Sequence, residues 1–505
     1  MIAKIIVDNK SKQVDKPFDY LVPKELEGKI KIGSRVLVPF SSGNREIEGF
    51  CVGTADTSDS KRLKSIIRTA NDSIGFDEDM LELIEWMHKK YLASYLDIIH
   101  TIVPSGTALK TKEWIILENK SEEKSEIRRR ITEILTDNGG SMEFKGLKEM
   151  CGVDIQNQVR AMIKEGTLKK EYRQSVDIKD KKIKCVKLIC DRETALESAE
   201  ILRRKAPVQA KMLEVLSENE YVSLADLQKF TNGSHSTVKA LEKKNLVNVF
   251  DMTVERDPYW NRVFEKTEKM VPTPEQEYAI DEITNSVKSG DGGIYLLHGV
   301  TGSGKTEVFM QTIENVINMG KSAIMLVPEI SLTPQMVSRF MSRFGGRVAI
   351  FHSGLSAGER YDQWKKIRDG EADIVIGARS AIFTPLKNIG VIIMDEEHSD
   401  TYKSDMSPRY HARETAIFRA SQFGAAVVLA SATPSVESYY KAQTGEYKLL
   451  EMNTRYNKNK MPEISVIDMR SELEKGNKSM LSGKLYNEIE ENLKRGEQTI
   501  LFLNR

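Results

Sequence analysis

The sequence predicts a multidomain fold: a β-rich N-terminal domain, a helical region of winged-helix type, and an α/β lobe built on a parallel sheet, with the start of a further unit behind it. Three observations predict it. A length of 505 residues exceeds what one hydrophobic core usually serves. The pattern of apolar residues changes character twice, near 120 and near 270. Beyond 270, continuous apolar runs alternate with helical stretches, as strands covered on both faces do.

Taken in order, residues 1–108 alternate short apolar runs with turn signals. Ile5-Ile-Val7, Phe18-Asp-Tyr-Leu-Val-Pro23 and Gly33-Ser-Arg-Val-Leu-Val-Pro39 read as strands. A helix from Asp77 to about Tyr95 closes this domain, with Met80, Leu83, Ile84, Met87 and Tyr91 at helical spacing. Residues 109–200 and 201–262 form two stretches joined by a weak repeat, in which Arg160–Leu168 echoes Lys239–Leu246. Two short amphipathic segments precede each: Ile127–Leu135 and Phe144–Met150, then Met212–Leu216 and Leu224–Phe230. Three short helices followed by an extended segment describe a winged-helix unit, while a plain helical linker bundle would share the pattern. Residues 263–455 carry the strand candidates Ile294–Leu297, Ala323–Val327, Val348–Phe351, Ile374–Ile376, Val391–Met394 and Val427–Ala430. From 456 to 505 a linker rich in Lys, Asn and Pro leads into a new unit.

Composition narrows the class. Hydrophobic content of 40% and charged content of 30% are ordinary for a soluble chain, and no run approaches the roughly 20 apolar residues of a membrane span. Met1–Asp8 lacks a basic n-region and a small-residue cleavage site, so it reads as a first strand. Cys51, Cys151, Cys185 and Cys190 are scattered without a C-x-x-C pair, which supports neither a disulfide framework nor a zinc site. A reducing, cytoplasmic location is expected. With a net charge of +1, a polyanionic partner would need local basic patches.

Gly299, Val300, Thr301, Gly302, Ser303, Gly304, Lys305 and Thr306 match the phosphate-binding loop G-x-x-x-x-G-K-[ST], between an apolar strand and a helical stretch. The glycines let backbone N–H groups curl around phosphate oxygens, and the helix N-terminus adds a favourable dipole. Lys305 should reach the β- and γ-phosphates, and the Thr306 hydroxyl should ligate Mg²⁺. Asp395-Glu-Glu-His398 follows the strand candidate Val391–Met394. An acidic residue ending a strand adjacent to the phosphate loop completes the Mg²⁺ site: Asp395 would hold the metal and Glu396 would orient or deprotonate the attacking water. A solvated acidic loop is the alternative, weakened by the phosphate loop.

The acidic box resembles the DEAH-type motif of superfamily 2 helicases. More narrowly, the chain is similar to the PriA family (primosomal protein N′). The resemblance rests on Thr273-Pro-Glu-Gln276, Gly299–Val308, Val327-Pro-Glu-Ile-Ser-Leu-Thr-Pro-Gln335, Phe351-His-Ser-Gly-Leu355, Gly377-Ala-Arg-Ser-Ala-Ile-Phe383, Asp395–His398 and Ser431-Ala-Thr-Pro434. Leu501-Phe-Leu-Asn-Arg505 looks like the opening of the fourth helicase motif. The resemblance implies a RecA-like P-loop helicase lobe at 263–455 and a partial, truncated second lobe after it. Gln276 would read the adenine edge. Residues 327–335 and 377–383, Arg379 among them, would line a single-strand track. Ser431 and Thr433 would couple hydrolysis to lobe movement, and His398 would link the γ-phosphate site to them.

Tyr402, Lys403, Arg409, Tyr410 and Arg413 interleave aromatics and cations in one loop. Bases stack on aromatic faces, so this composition suits single-strand sensing. The loop looks like the family's aromatic-rich loop, although a tryptophan that some relatives carry is absent and Pro408 lies in that region. A structural crossover with a packed Tyr410 is the alternative. At the front, Phe18-Asp19-Tyr20, with Gly33 and Lys64, resembles the family's pocket for the 3′ end of a nascent strand. There Asp19 could accept from a terminal 3′-OH, an aromatic could stack on the last base and Lys64 could meet a phosphate. Without the resemblance, Phe-Asp-Tyr before an apolar strand reads as core and turn.

The resemblance thus implies an ATP-dependent 3′→5′ DNA helicase, with ATP and Mg²⁺ as cofactors, that recognises stalled or branched replication forks for restart. Its partners would be forked and single-stranded DNA, the nascent-strand 3′ end, single-strand DNA-binding protein and other primosome proteins, with no membrane. Family members carry zinc on C-x-x-C pairs that this chain lacks. They usually show one winged-helix unit, so the segment near 120–200 is an expansion. A chain truncated inside its second lobe is expected to bind ATP and forked DNA but to turn ATP over slowly. Two rivals remain: a fork-binding module with an incomplete motor, and a double-strand translocase.

Overall fold

The structure, a computed structural model, describes residues 1–9, 11–40, 45–60, 62–69, 75–104, 109–119, 125–176, 181–254, 256, 267–456 and 463–503. The N-terminal domain holds β1 (Ile2–Val7), β2 (Phe18–Leu21), β3 (Arg35–Phe40), β4 (Arg45–Ala55), β5 (Lys64–Ser65) and β6 (Arg68–Thr69) in the order β5-β2-β1-β4-β3-β6. β5 pairs with β2 on one edge and β6, two residues further on, pairs with β3 on the other. One short segment therefore draws both edges together and curls the sheet around Ala3, Ile5, Val7, Val36 and Val38.

The helix expected to reach Tyr95 is two helices, α1 (Glu78–Tyr91) and α2 (Tyr95–Ile102). Leu92 takes a left-handed conformation at φ 51°, and Ser94 caps α2 by accepting from the Asp97 N–H. Apolar spacing carries across this break, which hides it from periodicity. Both helices bury Met80, Leu83, Ile84, Met87, Ile98 and Ile99 in the core that also serves the α/β lobe.

Two units of one design follow. The first has β7 (Leu109–Leu117), α3 (Glu126–Asp137), β8 (Ser141–Glu143), α4 (Phe144–Cys151), α5 (Gln156–Lys164) and β9 (Leu168–Val176). The second has β10 (Lys181–Leu188), α6 (Arg192–Leu202), α7 (Pro207–Ser217), β11 (Val222–Ser223), α8 (Leu224–Thr231), α9 (His235–Lys243) and β12 (Val247–Val254). Each packs helices on a three-stranded sheet, β8-β7-β9 or β11-β10-β12, as a winged-helix unit does and a plain helical bundle does not. Each has a core of its own, around Ile115, Ile131 and Leu147 or around Val186, Leu213 and Leu227. The division expected at 200 falls inside the second unit. β10, on its near side, is the middle strand and pairs with β12 along its length, a long-range pairing that local pattern does not reveal. In each unit the first strand pairs with the last: Leu109 faces Val176, and Lys181 faces Val254.

The lobe comprises α10 (Pro274–Ser289), β13 (Gly293–Gly299), α11 (Lys305–Asn318), β14 (Ser322–Leu326), α12 (Pro334–Phe344), β15 (Val348–Phe351), α13 (Ala357–Arg368), β16 (Ile374–Gly377), β17 (Ile389–Met394), α14 (Ala412–Phe423), β18 (Ala426–Ser431), α15 (Val436–Gln443) and β19 (Lys448–Met452). All seven strands run parallel in the order β15-β16-β14-β17-β18-β13-β19. The six expected strands are present. The seventh, β19, lies at an edge, where its alternating burial disguises it among polar neighbours. Separate apolar clusters cover the two faces. β17 is not the neighbour of β13, as the sequence suggested; β18 lies between them, because sheet order is not written in local periodicity.

Met1–Thr454 form one compact unit and Arg455–Arg505 another. The second holds α16 (Met469–Glu474) and α17 (Gly483–Lys494), and none of its described apolar side chains is buried. Asn504 and Arg505 of the expected fourth motif lie outside the described residues. Among the described residues no helix is long and apolar enough to cross a membrane.

Candidate nucleotide and nucleic-acid site

The phosphate loop leaves β13 at Gly299 and enters α11 at Lys305. Gly302 and Gly304 sit at φ 82° and 85°, where a side chain is strained. At Gly304 a Cβ would also stand 2.3 Å from the Gln276 amide nitrogen. Lys305 turns its ammonium back onto the Gly299 carbonyl at 2.7 Å. The Ser303 hydroxyl is buried with no hydrogen-bond partner among the described residues.

Gln276 is buried and belongs to a capping box at the start of α10. Its oxygen accepts from the Thr273 N–H and its nitrogen donates to the Ser303 carbonyl, each at 2.8 Å. Gln276 thus ties the cap of α10 to the phosphate loop, with one hydrogen bond at each amide atom.

Asp395 is the first residue past β17, and its N–H donates to Leu326 O on the neighbouring strand. Burial pushes its carboxyl up to about 6, helped by the charge of Glu396 and opposed by the Glu396 N–H, Lys305 and His398. β18 separates β17, which ends at the acidic box, from β13, which ends at the phosphate loop. Glu396 adopts φ 46°, a left-handed turn, and its N–H donates to Asp395 Oδ1 at 3.0 Å. His398 Nδ1 shares a hydrogen bond of 2.8 Å with the buried Ser431 hydroxyl, whose oxygen also accepts from the Thr433 N–H at 2.9 Å. The structure therefore brings the loop, the acidic box and Ser431-Ala-Thr-Pro434 to one end of the sheet, where α/β folds place ligands. This donor set fits a magnesium nucleotide: glycine-shaped N–H groups and Lys305 for phosphates, Thr306 and Asp395 for the metal, with an orphaned Ser303 hydroxyl beside them.

The loop between the box and α14 departs from expectation. Tyr402 is fully buried, its hydroxyl 2.6 Å from Asp395 O and 3.1 Å from Leu326 O, so it props the acidic box from below. Tyr410 is buried edge-on against Phe383, with ring centroids 4.8 Å apart. Neither ring offers a face to a base, which corrects their assignment to DNA stacking and favours the packed crossover. Arg413 points inward to Glu397, and Arg379 donates to the Thr401 and Lys403 carbonyls. Lys403 donates to Arg409 O at 2.6 Å and lies 5.7 Å over Tyr91. Lys403, Asp405, Met406, Ser407 and Arg409 are exposed on this loop. In the track segments Val327 is buried, whereas Glu329 and Ile330 are exposed beyond β14.

At the front, alternation along β2 separates the proposed pocket. Phe18 and Tyr20 face the core, and Asp19 lies on the opposite face. Tyr20 is buried with its hydroxyl donating to Pro39 O at 3.3 Å, so it cannot stack on a terminal base. Phe18 is half-buried, edge-on to Phe40 at 5.6 Å. Asp19 accepts from the Ser58 hydroxyl, and Lys64 pairs in register with Tyr20 on the adjacent β5. Gly33 is elsewhere. It lines a cavity of about 200 Å³ with Phe76, Trp364 and Arg368, and none of Phe18, Asp19, Tyr20 or Lys64 lines it. A Cβ on Gly33 would meet Phe76 O at 1.7 Å, so close backbone approach explains this glycine without DNA.

Sequence reasoning gave no role to Glu397. The one available signal was a third acid where the metal and the water need only two.

Residues 4–104 match the model of the PriA 3′ DNA-binding domain, and residues 273–442 match the DEAD/DEAH box helicase model. The Replication restart protein PriA of Bacillus subtilis (strain 168) is 40% identical over 508 residues, covering 100% of this chain and 62% of that protein. Its counterpart in Synechocystis is 33% identical over 525 residues, covering 100% and 61%. That of Treponema pallidum is 44% identical over 240 residues, covering 48% and 35%. The chain spans about three-fifths of the length of the first two relatives.

Proposed function

The chain belongs to the PriA family of replication restart proteins, and on that premise we propose that it is the ATP-binding and DNA-end-binding portion of an ATP-dependent 3′→5′ helicase that reopens stalled or branched replication forks. The observation that carries this reading is the His398–Ser431 hydrogen bond of 2.8 Å, which joins the acidic box to the segment after β18 at the end of the sheet where the phosphate loop also lies. Bound Mg-ATP would supply the phosphoryl group whose hydrolysis drives movement. Lys305 would hold its phosphates, Thr306 and Asp395 its metal, and Glu396 would accept the proton of the attacking water. His398 would pass the state of that site to Ser431 and Thr433.

At the front, the N-terminal domain would meet a nascent-strand 3′ end, with the half-buried Asp19 repelling a terminal phosphate and the exposed Lys64 meeting a backbone phosphate. Forked and single-stranded DNA, single-strand DNA-binding protein and other primosome proteins are the proposed partners, in the cytoplasm. The four cysteines form no C-x-x-C pair, and no group of metal ligands occurs among the described residues, so no step is assigned to zinc.

Because the superfamily closes its ATP site with a second lobe, the 505 residues by themselves should bind ATP and hydrolyse it slowly. Titration with a fluorescent ATP analogue and forks ending in 3′-OH or 3′-phosphate tests both halves. Lys305→Ala should weaken nucleotide binding at least about tenfold, roughly 1.4 kcal/mol, and the 3′-OH fork should bind more tightly. Equal nucleotide affinity in the two proteins would sink the motor, equal affinity for the two forks would sink the end-binding role, and brisk Lys305-dependent turnover would sink the slow-hydrolysis claim.

A further inference from the structure

We propose that Glu397 is a positioning residue which, with Arg413, locks the acidic box to the segment after Ser431-Ala-Thr-Pro434 and so makes ATP hydrolysis answer to the loop ahead of α14. The inference rests on the motor reading above and adds to it.

Glu397 has only 1% of its surface exposed. A buried carboxylate is tolerated only when it is paired and fully hydrogen-bonded. Here four donors converge on it: the Ser435 N–H at 2.7 Å, the Ser435 hydroxyl at 3.2 Å, the Ser438 hydroxyl at 2.9 Å and Arg413 Nη1 at 3.0 Å. Ser435 is the N-cap of α15, so the carboxylate also lies at the favourable end of that helix. The Glu397 N–H donates to Ala430 O on β18. Main chain and side chain therefore grip opposite flanks of residues 431–434. A plain ion pair would need only Arg413; the shared serines tie the acid to the coupling segment itself.

Arg413 supplies the other end. It lies in the first turn of α14, directly after the Lys403–His411 bridge that closes the exposed loop. The same turn is held by the N-terminal domain: the Tyr91 hydroxyl accepts from the His411 N–H and donates to Glu414 Oε2. Any displacement of the loop base carries Arg413 with it, and Glu397 transmits that displacement to Asp395 and Glu396 two and one residues away. Coupling of this kind should be non-additive between the two partners.

The test uses the whole chain carrying Glu397→Gln, Arg413→Gln and both together, with Arg413→Lys as the conservative variant. The readouts are affinity for a fluorescent ATP analogue, single-turnover hydrolysis with and without a single-stranded oligonucleotide, and thermal unfolding. Glu397→Gln should bind nucleotide within about threefold of the parent yet lose at least about tenfold of the stimulation by DNA, with the double variant no worse than either single one. Arg413→Lys should recover part of the stimulation. Parental stimulation in Glu397→Gln, strictly additive losses, or equal losses of nucleotide affinity, folding and stimulation would each overturn the proposal. Absence of stimulation by the oligonucleotide in a parent that binds nucleotide would overturn the coupling proposed here alone, whereas absence of nucleotide binding in the parent would overturn the motor reading and this one with it.

Discussion

Asp395 stands where burial and a second carboxylate both oppose its ionisation, and its pKa rises from the ordinary 3.8 to about 6. A pKa raised in the folded state means that ionisation destabilises the fold: the native state gains nothing from this group's charge and loses stability as pH climbs through 6. The full shift corresponds to at most about 3 kcal/mol, less for the part of the carboxyl that faces water. Asp395→Asn without magnesium should therefore melt with the parent near pH 4 and above it at pH 8, by calorimetry over that range. A constant difference across pH would show that the carboxyl is not the source. Magnesium should narrow the gap at pH 8, because the metal needs the deprotonated parent. The placement of Lys305, Thr306 and Asp395 beside the ends of strands was legible in the sequence, because both motifs follow apolar runs. Tyr402, Tyr410 and Arg413 were not, because composition tells that rings and cations share a loop and not which way each side chain turns.

Elements were legible where both faces are buried and obscure where one face or one end is special. The six expected strands announce themselves as unbroken apolar runs, whereas β19 mixes Lys448 and Glu451 with its buried Leu450 and Met452. The break between α1 and α2 escaped because it is made by one left-handed residue, Leu92, and a serine cap rather than by proline or glycine. Gly33 is a case in which the family resemblance pointed to DNA and packing points to the backbone. With φ at 76° and Phe76 O in the place of a Cβ, Gly33→Ala should cost at least about 3 kcal/mol, seen as a lower melting temperature in the absence of any DNA. An alanine variant that melts with the parent and loses only DNA binding would restore the pocket assignment.

The whole molecule assembles by two different rules. The N-terminal domain is welded to the lobe: Trp86 stacks on Phe418 with centroids 4.5 Å apart, Gln422 donates to Asp79 O, and one apolar cluster spans both. The two winged-helix units instead keep separate cores, so the repeat in the sequence reported a real duplication of form even though the boundary at 200 missed its strand pairing. Removing 109–176 should leave nucleotide affinity within about twofold and a cooperative thermal transition, while duplex binding falls. Loss of cooperative unfolding in the shortened chain would show that the first unit is structurally required.

The pairing of Leu109 with Val176 has one more consequence. Ends that meet side by side close their own loop, so the tether seen by the surrounding chain is no longer with the unit present than without it. A lineage can therefore acquire such a module, or shed it, by a single in-frame event that leaves the path of the flanking chain unchanged.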